Sequence, residues 1–304
     1  MSFFNKKKII ITHNGTFHAD DLFAVATLAI VFDNDIKIIR TRDPEIIASA
    51  DVVCDVGGIY NPETNRFDHH QKGGAGQRGN GIPYSSFGLV WKKYGEQICG
   101  EKEIANRIEK KLVCPIDAID NGVDFAKPLY EGVISFGPDQ VFLNNIPTWK
   151  ENNEDIDLVF CGQVKKITQF LLREIEVTKT DVEGAKIIMK AYENSSDKRV
   201  VVLENDFPRY LYQDALSKLK EPLYAVLPSG HNSMWKVEAI RKSPNTMENR
   251  KRFPESWRAS FSEDSKLKEI TGVTDAIFCH QNGFLAITLS KEGAIKLAEK
   301  ALLA

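Results

Sequence analysis

The sequence predicts an α/β protein: an N-terminal domain with a mostly parallel sheet and crossover helices, and a smaller α/β C-terminal domain. Residues 7–13 form a β-branched apolar run, residues 19–32 form a helix-length stretch, and residues 35–41 alternate like a strand. A second buried-strand run follows at residues 51–56, and this order of strand, helix and strand is typical of parallel sheets. From residue 199 onward, short apolar runs dominate, which indicates a second domain.

The rest of the N-terminal domain is predicted to be mainly helical. Apolar residues at helical spacing and capping signals predict helices at residues 44–50, 84–98, 101–119, 164–178 and 182–192. Residues 121–149 contain Gly and Pro without a clear period and are interpreted as irregular.

The C-terminal domain is predicted to combine short strands with two helices. The predicted strands cover residues 200–203, 224–227, 235–240, 276–279 and 284–289. The helices are expected at residues 208–219 and 291–302. Because the pattern changes near residues 194–198, the predicted domains are residues 1–195 and 196–304.

Composition and charge exclude several classes of protein. The 304 residues are 42% apolar and 27% charged, which is typical of a folded globular protein and not of a disordered one. A formal net charge of −2 gives no global positive field, so any site for a polyanion must be local. The five cysteines include no C-x-x-C pair, which argues against a disulfide framework and against a cysteine zinc site.

Neither a membrane nor a secreted location is expected. No apolar run approaches the roughly 20 residues that a membrane span needs. The N-terminus has no apolar signal core and no small-residue cleavage site. Together with the cysteine usage, this favours a reducing, cytoplasmic compartment.

Histidines and aspartates gather at the predicted strand ends of the N-terminal domain. Four of the six histidines lie within the first 70 residues. The cluster consists of His13, which closes the first strand; His18, Asp20 and Asp21, where the chain turns into its helix; Asp55, at the end of another strand; and Asp68, His69 and His70, after a turn. Because the carboxyl ends of parallel strands face one edge of a sheet, we expect these side chains to meet there.

Such a cluster is suited to a divalent metal ion. Imidazole and carboxylate ligands without a thiolate favour manganese, cobalt or iron over structural zinc. Aspartates brought together would also resist ionisation unless cations were present. In the alternative interpretation, Asp20 or Asp21 only caps a helix, Asp55 is a turn residue and the paired histidines are solvated.

Four ordered motifs in the chain resemble those of the DHH phosphoesterase superfamily. They are T-H-N-G-T-F-H-A-D-D at residues 12–21, V-C-D-V-G around Asp55, D-H-H at residues 68–70 and I-D-A-I-D-N-G at residues 116–122. Over nearly its whole length the chain resembles the Myg family, regarded as 3′-to-5′ RNA exonucleases, including R-F-P-E-S-W-R at residues 252–258 and I-F-C-H-Q-N-G-F at residues 277–284.

The resemblance implies roles for individual residues. The implied metal ligands are His13, His18, Asp20, Asp55, His69 and Asp120, with Asp117 as the competing choice for the fourth motif. It further implies catalytic roles for Asp21, Asp68 and His70, of which Asp68 supports or bridges the metals and His70 faces the substrate phosphate. The first motif departs from the superfamily pattern, because His18 stands where an aspartate is typical.

The implied cofactor is a pair of Mn²⁺ ions, with Mg²⁺ or Co²⁺ as alternatives. Relatives are also placed in the nucleus and mitochondria.

Substrate binding is predicted in the C-terminal domain. Residues 241–258 hold six basic residues against two acidic ones, with two aromatic rings interleaved. Charge alone favours a solvated surface, whereas the resemblance favours a phosphate clamp and base-stacking site. The residues assigned to it are Arg252, Trp257, Arg258 and His280. His231, in a Gly/Asn turn, is interpreted as a loop residue.

A glycine-rich stretch at residues 73–81 lacks the G-K-[ST] ending of a nucleotide-binding loop. It is interpreted as a flexible loop or, alternatively, as a mobile lid in which Lys72 and Arg78 reach a phosphate.

These features lead to one main functional hypothesis and two alternatives. The main hypothesis is a metal-dependent phosphodiester hydrolase, an RNA exonuclease or oligonucleotide phosphodiesterase in which two metals activate a water. The first alternative is a small-molecule phosphatase or pyrophosphatase with the same metal core. The second is a metal-binding or RNA-binding protein without turnover. The expected partner is RNA or a short oligonucleotide, and the sequence indicates no obligate protein partner.

Overall fold

A computed structural model describes residues 7–133, 136–151, 155–230, 233–259 and 266–304. His231 lies outside these residues. Internal contacts divide the chain into two compact units, Met1–Lys179 and Thr180–Ala304. The division falls inside a long helix, whereas the sequence placed the boundary near the end of that helix; the functional domain limits stay predictions. Among the described residues, no helix has both the length and the apolar character needed to cross a membrane.

The first unit is built around a five-stranded sheet. Its strands are β1 (Lys8–Thr12), β2 (Ile36–Arg40), β3 (Val52–Cys54), β4 (Tyr60–Asn61) and β5 (Arg66–Phe67). They lie in the order β2-β1-β3-β5-β4, and each neighbouring pair is parallel except the β4–β5 pair. The predicted mostly parallel sheet is therefore confirmed.

Helices complete this unit. They are α1 (Ala19–Val31), α2 (Pro44–Ala48), α3 (Ser86–Cys99), α4 (Lys102–Ile108), α5 (Cys114–Asp120), α6 (Pro138–Leu143) and the first part of α7 (Ile156–Asn194). Helix α1 is apolar on nearly every face, and its residues from Ala19 to Ala29 are buried. Such a helix lies inside the unit and holds its N-terminal aspartates close to the sheet.

Three helical segments differ from the prediction. The helix expected at residues 101–119 is interrupted by a π-helical turn, Glu109–Val113, just before Pro115, which has no N–H to donate. The stretch expected to be irregular contains α6. The two helices expected at residues 164–178 and 182–192 form one helix of 39 residues, because no Gly or Pro separates them.

The second unit contains a mixed sheet. Its strands are β6 (Val200–Val202), β7 (Tyr224–Pro228), β8 (Trp235–Ala239), β9 (Ala276–Cys279) and β10 (Leu285–Thr288), in the order β6-β7-β8-β10-β9. Among these described strands, only the β6–β7 pair is parallel. The helices are the remaining part of α7, α8 (Arg209–Ser217), α9 (Lys266–Thr271) and α10 (Lys291–Leu303). This arrangement confirms a second α/β unit.

A buried ionic cluster anchors the glycine-rich loop to α3 and α5. Asp117 Oδ1 accepts hydrogen bonds from Ser85 Oγ at 2.5 Å and from Gly88 N at 3.0 Å. Its Oδ2 lies 2.7 Å from Nη2 of Arg78, whose Nε donates to Glu109 at 2.5 Å. The expectation that Arg78 could reach a phosphate from a mobile lid is therefore wrong, because its guanidinium is already engaged with two acids.

This cluster makes Gly88 a sensitive position. A Cβ added to Gly88 would lie 1.8 Å from Asp117 Oδ2 and 2.8 Å from Arg78 Nη2. We expect Gly88→Ala to lower the free energy of unfolding by about 3 kcal/mol or more, because relief of the clash breaks a buried charge pair. Thermal unfolding followed by circular dichroism measures the change.

Gly162→Ala is the matched control. Gly162 also lies on a helix, α7, and a Cβ added there meets no heavy atom within 4 Å. Alanine is a better helix former by about 1 kcal/mol, so this variant should match or exceed the original stability. Equal unfolding temperatures for the two variants would contradict the tight approach at Gly88.

Candidate metal centre

The cluster of acids and imidazoles lies at the carboxyl edge of the first sheet. His13 follows β1 directly, Asp55 follows β3, and Asp68 begins the segment after β5. Since these strands are parallel, their ends converge at one edge. Two helices add further groups: His18 is the N-cap of α1, and Asp120 is the last residue of α5.

His13 is buried between two carboxylates. Its Nδ1 lies 3.0 Å from the carbonyl oxygen of Asn14, which can only accept a hydrogen bond, so Nδ1 carries a proton. Its Nε2 lies 3.2 Å from Asp21 Oδ2 and 3.2 Å from Asp55 Oδ2. The carbonyl thus orients the ring, and in the neutral imidazole it leaves the Nε2 lone pair directed into the cluster.

Asp55 lies at the centre of the cluster. Its Oδ1 is 3.3 Å from His69 Nε2, and it accepts a hydrogen bond from Ser86 Oγ at 3.1 Å. His69 Nε2 also lies 3.3 Å from Asp120 Oδ2. The backbone of Asp55 adopts a left-handed conformation, with φ of +58°, which aspartate adopts more readily than most residues.

Asp68 organises the D-H-H turn. Its Oδ1 accepts hydrogen bonds from the backbone N–H of His69 (2.7 Å), the backbone N–H of His70 (3.1 Å) and His70 Nδ1 (2.7 Å). Its Oδ2 accepts from Gly58 N at 2.5 Å. The buried carboxylate therefore fixes both histidines, while the His70 side chain remains 62% exposed.

The protonation pattern of the cluster reflects crowding of negative charge. Burial raises the pKa of Asp20 well above its usual value, and nearby carboxylates add to the effect. Burial also raises the pKa of Asp21 and of Asp120, although histidines oppose it. At Asp55 burial acts in the same direction, but hydrogen bonds from His13 and His69 outweigh it and lower the pKa.

Burial acts in the opposite direction on the pKa of the two histidines, yet their pKa values are raised as well. Burial lowers the pKa of His13, but its hydrogen bonds with Asp21 and Asp55 outweigh burial and raise the pKa to about 10. The pKa of His69 is also raised, because Asp55 and Asp120 oppose its desolvation. Protons on the imidazoles thus balance the charge on Asp55, which is the role that a divalent cation can take over.

The donor atoms present fit a divalent metal ion. Three groups each bring one ligand atom per residue within 4.8 Å of the others: His13, His18 and Asp55; Asp55, His69 and His70; and His18, Asp20 and Asp120. Asp20 Oδ1 is buried and has no hydrogen-bond partner among the described residues. An unpaired buried carboxylate oxygen is costly unless a cation binds it. The imidazole and carboxylate set suits a divalent metal ion.

The structure separates the two candidate carboxylates of the fourth motif. Asp120 is brought to His69 and to a group of metal-competent side chains. Asp117 is engaged with Arg78, Ser85 and Gly88 and belongs to none of the groups found among the described residues. Their assignment as ligands stays a prediction, but the geometry favours Asp120.

Two neighbouring residues were missed by the sequence analysis. Ser86, at the start of α3, donates its backbone N–H to Asp20 at 3.3 Å and its hydroxyl to Asp55. Arg42 lines the cavity of about 570 Å³ that His13, Asp55 and His70 also line. Arg42 could have been found, since it follows the end of β2 at the same sheet edge.

Trp257 does not lie on a free surface. Its exposed fraction is 5%, and its ring stacks on Phe253 at a centroid distance of 6.0 Å, while Phe253 stacks on Tyr224 at 5.2 Å. The interpretation of Trp257 as a base-stacking residue is therefore corrected: the ring is part of the apolar core of the second unit. The prediction was wrong because the sequence alone did not show that the rings of Tyr224, Phe253 and Trp257 stack on one another.

The other three predicted substrate residues remain accessible. Arg252 is exposed, and Arg258 donates its Nε to the carbonyl oxygen of Phe253 at 2.9 Å. His280 is half-buried, and its ring lies 4.5 Å from that of Phe284. Phe253 N donates to Gly283 O at 2.8 Å, which joins the arginine segment to the His280 turn. Their role in substrate binding stays a prediction.

Much of the basic segment has a structural role. Arg250 donates to three backbone carbonyls, those of Ser217, Lys220 and Pro222. Lys242 pairs with Glu248, and Lys251 donates to the carbonyl of Leu302. Of the residues that the sequence analysis assigned to a phosphate clamp, Arg252 is exposed and Arg258 is half-buried, and both remain candidates.

Comparison with known proteins identifies similar sequences over nearly the whole chain. The model of the MYG1_exonuc family, described as uncharacterised protein family UPF0160, matches residues 9–302. A mouse protein named MYG1 exonuclease is 29% identical over 323 residues, covering 96% of this chain and 84% of the mouse protein. A MYG1 protein of Dictyostelium discoideum is 30% identical and covers 96% of each chain. One from Chlamydia pneumoniae is 33% identical and covers 92% of each.

Similarity to solved structures is weak. RecJ from Thermus thermophilus in complex with Mn²⁺ has a TM-score of 0.26 and 14% identity, covering 98% of this chain and 52% of RecJ. An exonuclease RecJ bound to manganese has a TM-score of 0.26 and 11% identity, covering 98% of this chain and 90% of the other. Similarity at this level supports no inference.

The burial of Trp257 predicts a loss of stability on truncation. We expect Trp257→Leu to lower the free energy of unfolding by about 2–4 kcal/mol, because it opens a cavity in a stacked core. Arg252→Ala, in the same segment but exposed, should change it by about 0.5 kcal/mol or less. Chemical denaturation measures both, and an unchanged midpoint for Trp257→Leu would contradict the core assignment.

The donor set predicts stabilisation by a divalent cation. Adding Mn²⁺ to chelator-treated protein should raise the unfolding temperature by roughly 5–10 °C at about 100 times the dissociation constant. Asp55→Asn should reduce this shift, whereas Asp124→Asn, an exposed aspartate outside the cluster, should preserve it. The same shift in all three proteins would argue against metal binding at the cluster.

Proposed function

Because the chain belongs to the MYG1_exonuc family, we propose that it is a metal-dependent phosphodiester hydrolase, specifically a 3′-to-5′ RNA exonuclease or oligonucleotide phosphodiesterase. One observation carries the proposal: imidazole and carboxylate donors from separate strands and helices converge at one sheet edge, beside an open cavity. Similar proteins from mouse, cattle and human carry the name MYG1 exonuclease, which supports a nuclease.

The proposed cofactor is a pair of divalent ions, with Mn²⁺ as the first choice. The proposed ligands are His13, His18, Asp20, Asp55, His69 and Asp120, each of which belongs to at least one metal-competent group. Asp55 and His18 each belong to two of these groups, which suits residues that serve neighbouring ions. Bound divalent ions supply positive charge for the phosphate and lower the pKa of a water molecule.

His70 is proposed to act on the substrate. Its Nδ1 is hydrogen-bonded to Asp68, and this bond fixes the orientation of the ring. His70 Nδ1 also lies 3.6 Å from Asp55 Oδ1, so it is the ring atom nearest to the cluster among the contacts of this residue. Because Asp68 already occupies Nδ1, substrate contact is favoured over metal ligation for His70. The exposed side chain would hold a proton at Nε2 and donate it to the leaving oxygen.

Asp21 is proposed to act by positioning histidines. Its Oδ1 accepts from the backbone N–H of His18 at 3.0 Å, and its Oδ2 lies 3.2 Å from His13 Nε2. The residue is completely buried, so the predicted catalytic role narrows to orienting these two histidines.

RNA is the proposed substrate, with Arg252, Arg258 and His280 as its proposed contacts in the second unit. A small phosphate or pyrophosphate is the second candidate. The burial of Trp257 favours this candidate, since that ring was the feature that had pointed to a base-bearing substrate. A cytoplasmic location stays an expectation.

Digestion of a 5′-labelled RNA tests the proposal. Chelator-treated protein is supplied with Mn²⁺, and products are resolved on a sequencing gel for the original chain, Asp55→Asn and Asp124→Asn. A descending ladder from the original chain and Asp124→Asn, absent with Asp55→Asn or chelator, supports a 3′-to-5′ exonuclease. Early release of the labelled mononucleotide would indicate the opposite polarity. Intact RNA together with hydrolysed pyrophosphate would favour the second candidate, and no hydrolysis of either would favour a binding protein.

His70→Ala should lower kcat about 10²- to 10⁴-fold, with a smaller effect on KM, because a general acid acts mainly in the transition state. Steady-state kinetics on the RNA measures this split, and bound manganese should be unchanged by elemental analysis. Loss of manganese in parallel with activity would instead make His70 a ligand.

A further inference from the structure

The cavity at the sheet edge is lined by one arginine that the proposed chemistry does not use. We propose that Arg42 is a phosphate-binding residue, which holds a phosphate group of the substrate against the metal centre. This inference rests on the proposed hydrolase function and deepens it, because it assigns the substrate's phosphate to a particular side chain.

The position of Arg42 follows from the register of the first two strands. Thr12 pairs with Arg40, and the chain beyond the pair continues with a hydrogen bond from Thr41 N to Thr12 O at 2.9 Å. His13 follows Thr12, and Arg42 follows Thr41. The arginine and the histidine therefore leave adjacent parallel strands at the same edge, and both line the 570 Å³ cavity.

Arg40 and Arg42, two residues apart, have different environments. Arg40 is buried, pairs with Asp157 at 2.6 Å and donates to Gly15 O at 2.6 Å. Its guanidinium also lies 4.5 Å from the ring centroid of Phe160. Arg42 is exposed, and no ion pair or hydrogen bond of its side chain occurs within the described part of the chain. Arg40 thus stabilises the loop beside the cavity, whereas the Arg42 guanidinium is free to bind a ligand.

The backbone on both sides of Arg42 is fixed. Thr41 is held by Thr12, as above, and Asp43 N donates to Thr41 Oγ1 at 3.1 Å. Asp43 also caps α2 by accepting from Glu45 N at 2.9 Å. A residue whose neighbours are anchored in this way loses little backbone entropy on binding, so its long side chain can close on a ligand at lower cost.

The cavity has the space that a phosphate needs and one permanently charged cation that can pair with it. Its other charged lining residues are histidines and aspartates, so Arg42 is the permanent cation among the lining residues. A Cβ added to Gly15 or Gly58, which also line it, would meet no heavy atom within 4 Å. Arginine presents a planar fork that matches phosphate oxygens with two hydrogen bonds. Beside Arg42, a phosphate group can therefore form both hydrogen bonds and a charge interaction, which a neutral group cannot.

Two substrates distinguish which phosphate is bound. Bis(p-nitrophenyl) phosphate has only the scissile phosphate, whereas a short RNA also carries neighbouring ones. If Arg42 binds the scissile group, Arg42→Ala lowers kcat/KM about 10- to 100-fold on both substrates. If it binds a neighbouring phosphate, only the RNA is affected. Either result supports the proposal, and an unchanged kcat/KM on both substrates would overturn it.

Matched variants separate specific binding from loss of surface charge. Arg107→Ala removes an exposed arginine on α4 that pairs with Glu103 and lies outside this cavity, and it should leave both rates unchanged. Arg42→Lys should recover part of the loss, because lysine keeps the charge but not the fork. An equal loss with Arg107→Ala would reduce the effect to general electrostatics and overturn the proposal.

Titration with inorganic phosphate tests binding without turnover. Calorimetry on the manganese-loaded protein should give at least tenfold weaker binding for Arg42→Ala, with the manganese content unchanged. If the original chain cleaves neither substrate, the proposed function fails, and this titration still decides the role of Arg42. Equal phosphate binding by both proteins, or none by the original chain, would overturn the phosphate site.

Discussion

Convergence of parallel strands at one edge is the constraint on which the rest of the first unit depends. Strands β1, β3 and β5 run in the same direction, so the residues that follow them lie close together at one edge of the sheet. His13, Asp55 and the Asp68 turn occupy those positions. Helix termini add three more acids to this edge, Asp20, Asp21 and Asp120. Imidazoles placed between the carboxylates offset part of the crowded negative charge.

The strand pattern and the edge cluster could be predicted from the sequence because both depend on local order. β-branched runs separated by helical stretches define a parallel sheet, and the sheet then determines which residues meet. The same rule could have identified Arg42, which leaves β2 beside His13. Ser86 was less accessible to this reasoning, since it reaches Asp55 from the start of a helix that is distant in sequence.

Other features depended on contacts that no local pattern reveals. Arg78 lies in a glycine-rich stretch that looks mobile, yet Asp117 and Glu109 hold it from other segments. Trp257 sits among basic residues, yet Tyr224 and Phe253 form a stack with it. In both cases the composition around the residue suggested exposure, whereas contacts with residues from other segments of the chain bury its side chain.

The left-handed backbone at Asp55 has a consequence for how the family can vary. Aspartate, asparagine and glycine tolerate positive φ, whereas other side chains are strained there by roughly 1 kcal/mol or more. Glutamate would keep the charge but disturb the turn, while asparagine would keep the turn and remove the charge. A single nucleotide change that replaces this aspartate by asparagine can therefore remove the negative charge from the centre while the fold is kept. The backbone conformation therefore permits a short evolutionary route to a folded protein that lacks this charge.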